Sequence, residues 1–155
     1  MVALKLRDRG QLTFPEEIGG WRQEFGGSAP FDLTGERLCW RRYDGVNPTA
    51  EVQVILPDGP PRRAEDLLAA CVGATWEDPD AGLNLVTLRF GESVRLGKWA
   101  PATGSTDVVL ALIGSACELV LTASGMNTHA ANLNNLYEVA AGGRLGALPR
   151  AEATR

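Results

Sequence analysis

The segment AEVQVIL over 50–56 places apolar residues at strict two-residue spacing, a period that a helix cannot bury on one side. Val52, Val54 and Leu56 point one way, and Glu51, Gln53 and Ile55 the other. Just upstream, 37–43 reads as a second strand, with Leu38 and Trp40 on one face and Cys39, Arg41 and Tyr43 on the opposite one. The short link DGVNP between the runs predicts an antiparallel hairpin. Every further reading has to accommodate this two-stranded nucleus and a core on its Val52–Val54–Leu56 side.

More strands are expected on both sides of it. Gln11–Phe14 is a short strand stopped by Pro15. The region 15–35 is broken by Gly19-Gly20, Gly26-Gly27 and Pro30, and it reads as a long loop with room for one bridging strand. Downstream, 84–90 and 93–99 flank Gly91-Glu92, while 108–113 and 117–123 flank Gly114-Ser115-Ala116, both at hairpin spacing. Eighteen glycines and nine prolines in 155 residues supply the turns that so many strands need.

Two helices complete the expected set. From Arg62, the residues Ala64, Leu67, Leu68, Cys71, Val72 and Thr75 form one apolar stripe, so a helix is expected over 62–75. A second is expected over 127–141, stopped by Gly142-Gly143. On it Met126, His129, Ala130, Leu133, Leu136, Tyr137 and Ala140 cluster on one side, with Asn127, Asn134, Asn135 and Glu138 on the other. The expected fold is α+β: one domain over 1–145, a curved antiparallel sheet of about six or seven strands packed with two amphipathic helices, and a flexible tail over 146–155. A chain of this length buries roughly 70% of its unfolded surface, enough for one core.

The search for chemistry is largely negative. His129 is the only histidine, and Ser124 near it lies outside any Gly-x-Ser-x-Gly elbow. Glu77, Asp78 and Asp80 lack the alternation and central glycine of a calcium loop, and Glu16-Glu17 reads as a turn. Cys39, Cys71 and Cys117 are too widely spaced for a zinc site or a disulfide framework, and they fit a reducing compartment as small buried side chains. No glycine pattern suits a phosphate or dinucleotide. A net charge of −4 argues against a nucleic-acid groove. The run Val108–Ile113 is far short of the roughly 20 residues of a spanning helix, and no signal-peptide core opens the chain, so a cytoplasmic location is expected. No enzyme class, cofactor or metal emerges.

Three segments together carry a resemblance: GQLTFPEEIGGW near the start, LPDGPPRRAEDLLAACV from strand to helix, and CELVLTASG before the closing helix. In this order they resemble the PsbP-like α/β/α sandwich superfamily, and within it the Eag effector-associated chaperones of type VI secretion. The resemblance implies a cytoplasmic dimer whose sheet cradles apolar N-terminal helices of a secreted effector. Four tryptophans are present, and Trp99, flanked by Lys98 and Ala100-Pro101, is the one best suited to an interface. With Val52 and Val54 in the core, the opposite face is expected to be free. Gln53, Ile55, Val120 and Thr122 on that face, with Trp99, are the expected partner-binding residues. Two alternatives stand beside this reading: an immunity protein that meets a basic toxin cleft through Glu77–Asp80, and a small-molecule site or enzyme with a pocket near His129.

Overall fold

The computed structural model describes residues 1–6, 10–25, 33–63, 66, 74–77, 94–101, 107–113, 116–125 and 129–146. Among these, strands dominate. β1 (Val2–Leu6), β2 (Gly10–Phe14), β3 (Glu17–Ile18), β4 (Trp21–Glu24), β5 (Gly35–Tyr43) and β6 (Pro48–Pro57) come first. They are followed by β7 (Ala74–Glu77), β8 (Val94–Pro101), β9 (Asp107–Ile113), β10 (Ala116–Ser124), the helix α1 (His129–Gly142) and β11 (Arg144–Gly146).

The strands form two antiparallel sheets, not one. Eight assemble in the order β3-β4-β5-β6-β10-β9-β8-β7, and three in the order β1-β2-β11. The α+β class therefore holds, while the expected count of six or seven strands in one sheet does not. The difference comes from short strands at both ends of the chain. β3 and β4 lie inside the segment expected as a loop, joined by a turn at Gly19-Gly20. β1 and β11 sit on either side of β2, so the two ends of the described chain meet in the small sheet. β1, β3, β4 and β11 have only two to five residues, too few to establish a period, while the equally short β2 is legible through the Pro15 that stops it.

The β5–β6 hairpin is as expected. Its nine-residue register runs from Gly35 opposite Pro57 to Tyr43 opposite Pro48, and the Thr49 hydroxyl closes the turn by donating to the Arg42 carbonyl at 3.3 Å. β10 pairs with β6, and β9 with β10. One core cluster joins Leu38, Trp40, Val52, Val54, Leu119 and Leu121 of the large sheet to Leu4, Leu6, Leu12 and Phe14 of the small one, and to Leu136, Val139 and Ala140 of α1. The Phe14 and Trp40 rings meet at 5.8 Å between centroids with a 51° tilt, a favourable edge-biased aromatic arrangement.

The first expected helix falls mostly outside the described residues. Asp66 is helical, but Ala74 and Thr75, placed at that helix's end by the apolar stripe, belong to β7. The last helix starts at His129 and ends at Gly142, where the Arg144 guanidinium donates to the Ala141 and Gly143 carbonyls at 2.8 Å each. A cation there satisfies orphan carbonyls and complements the helix dipole. Of the expected stripe, Leu136 and Ala140 are buried and Tyr137 packs against the core, and among the described residues Asn132, Asn135 and Val139 are buried beside them. Asn135, expected on the open side, is only 4% exposed. Hydropathy alone puts asparagines outward. Here two of them face the sheet while Asn134 and Glu138 do face solvent.

Candidate interaction site

The cross-strand register brings the expected partner-binding residues together. Residues directly opposite one another in an antiparallel pair share a face. Thr122 stands opposite Gln53, which stands opposite Cys39, which stands opposite Glu24. On its other side Thr122 is opposite Val108, and Val108 is opposite Trp99. The adjacent row runs Arg37, Ile55, Val120, Leu110. All five expected residues thus fall in two neighbouring rows, Trp99 by its backbone position alone.

Their expected exposure is corrected. Gln53 is 2% exposed, Ile55 0%, Val120 1% and Thr122 3%, so this part of the face is closed within a single copy of the chain. The residues share one face as the alternation implies, but a core on the Val52–Val54 side does not leave the opposite face free. The Gln53 amide donates to Glu51 Oε1 at 2.6 Å. A side-chain donor paired with its strand neighbour can be covered at lower cost.

Towards β4 and the β5–β6 turn the same face becomes polar and half-exposed. Arg41 is the centre, with its Nε donating to Glu51 Oε2 at 3.0 Å and its Nη1 to Glu24 Oε2 at 3.4 Å. The Tyr43 hydroxyl donates to the same Glu24 oxygen at 2.8 Å, and the Arg22 guanidinium lies 5.0 Å from the Tyr43 ring centre. The Glu51 hydrogen bond pushes the Arg41 pKa further up, and the Glu24 bond raises that of Tyr43. Cys39 lies beside this network, and its thiol is pushed up to about 12, first by burial and then by the Glu51 charge. Such a thiol stays protonated at neutral pH and is no nucleophile.

Arg41 and Arg42 are neighbours in the sequence. Strand alternation sends the two to opposite faces. Arg42 Nη1 contacts Glu138 Oε2 of α1 at 3.4 Å, and the Trp21 indole donates to that oxygen at 2.8 Å. The available signal was the strand period itself, which separates adjacent residues by construction.

Where the two rows reach β5, the surface opens. A cleft of about 480 Å³ lies between Met1–Ala3 of the first strand region, Gln23–Phe25 at the end of β4, and Arg37–Cys39 of β5. Glu24, Cys39 and Arg37 are the β4 and β5 members of the rows that hold the expected residues, so cleft and buried patch are continuous. Phe25 on the cleft wall is 95% exposed and Met1 83%. The Arg37 guanidinium is oriented by donating to the Leu33 carbonyl at 2.8 Å. Phe25 lay inside the expected loop, where no period marks it, so sequence reasoning passed over it.

The alternative sites gain little from the geometry. Among the described residues, no three His, Cys, Asp or Glu side chains are grouped to hold a metal ion. His129 is the first residue of α1, but its side chain lies outside the described residues. Of the acidic stretch, Glu77 ends the edge strand β7, and 78–80 lie outside the described residues. No described helix is long and apolar enough to cross a membrane. No family model, no curated protein and no solved structure matches this chain.

Proposed function

We propose that this is a non-enzymatic protein-binding domain, a cytoplasmic chaperone or adaptor that shields an apolar segment of a protein partner. The contact is made at the cleft between β1, β4 and β5 rather than at the centre of the sheet face. The observation that carries the reading is Phe25, a large aromatic side chain 95% exposed on the wall of a cleft that also presents Val2, Leu38 and Arg37. Leaving a phenylalanine in water forgoes roughly 1.5–3 kcal/mol of burial, and aromatic residues and arginine are the side chains that anchor protein interfaces. The partner class is the one the resemblance to Eag chaperones implies, an apolar N-terminal segment of a secreted effector.

The test is a tagged co-expression pull-down from the source cells, with mass spectrometry and stoichiometry of what is retained. It is run on the parent chain, Phe25→Asp and Val46→Asp. Val46 is 93% exposed at the far, hairpin end of the sheet and serves as the control. Retention of a secreted protein by the parent and by V46D, with loss of at least tenfold in F25D, is the expected result. Equal retention by both variants would overturn the cleft assignment. Capture of a toxin domain through its catalytic cleft would replace the chaperone reading with immunity, and no retained protein at all would overturn the binding reading.

A further inference from the structure

We draw no further inference here: the strongest candidate, the cluster of Trp21, Arg42 and Glu138 beside the Gly19-Gly20 turn, ties the β3–β4 hairpin to α1 with its polar atoms bonded to one another, and nothing in the structure shows what ligand or partner would cover it.

Discussion

Trp40 is fully buried, and its indole Nε1 has no hydrogen-bond partner among the described residues. An unpaired buried donor carries a desolvation cost of about 1–3 kcal/mol, which the ring's packing against Phe14 and the core must offset. The two contributions separate by mutation. Trp40→Ala removes both and should destabilise by about 3–5 kcal/mol. Trp40→Phe removes the orphan donor while keeping an aromatic ring, and should lose less than half of that in a urea titration. Equal losses would mean that the donor is satisfied. Cys39 makes a pH prediction. Its thiol ionises near 9 when unperturbed and at about 12 in the fold. The native state therefore holds its proton through a range where the unfolded chain has released it. Its contribution to stability is intact below pH 9 and is lost as pH rises towards 12. Urea midpoints measured at pH 8 and 10.5 should fall more steeply for the parent than for Cys39→Ala, and parallel slopes would contradict the assignment.

At the scale of elements, the junction between β10 and α1 depends on Gly125. Its φ is +101°, and a Cβ there would lie 2.6 Å from the Thr49 carbonyl oxygen and the Ala50 Cα of the neighbouring strand. Gly125→Ala adds backbone strain to a clash with atoms that cannot rotate away, and should cost about 1–3 kcal/mol. Gly20, in the β3–β4 turn, has open space around its Cβ position and no positive φ. Gly20→Ala should be stabilising by about 0.4–1 kcal/mol, since it mainly restricts the unfolded chain. Thermal unfolding of the two variants should therefore move in opposite directions. The elements legible in the sequence were β2, β5, β6, β8, β9, β10 and the last helix, each marked by alternation, an apolar stripe or a breaker such as Pro15. β1, β3, β4 and β11 have five residues or fewer, and their pairing partners rather than their own patterns make them strands.

For the whole molecule, the decisive fact is that the large sheet is covered over Ile55 and Val120 as well as over Val52 and Val54. Ile55→Ala should behave as a core truncation, losing about 2–5 kcal/mol by chemical denaturation, while any partner captured by the refolded variant at low temperature should still be retained. A variant of unchanged stability that loses the partner would restore Ile55 to the interface. The alternation along AEVQVIL, with the short link DGVNP before it, determined without any structure that this chain builds an antiparallel hairpin with Val52 and Val54 in a core, because a period of two fixes which side chains share a face. The same reading grouped Gln53, Ile55, Val120 and Thr122 on one face, since side-chain direction is a local property of the strand. Which face meets water is not local. It depends on how distant segments pack, and on polar pairings such as Gln53 with Glu51 that make a hydrophilic position tolerant of burial. The small sheet joining β1 to β11, the burial of Asn135, and the exposure of Phe25 beside the buried Cys39 were decided only by tertiary packing, where contacts between residues far apart in the chain outweigh each residue's own preference.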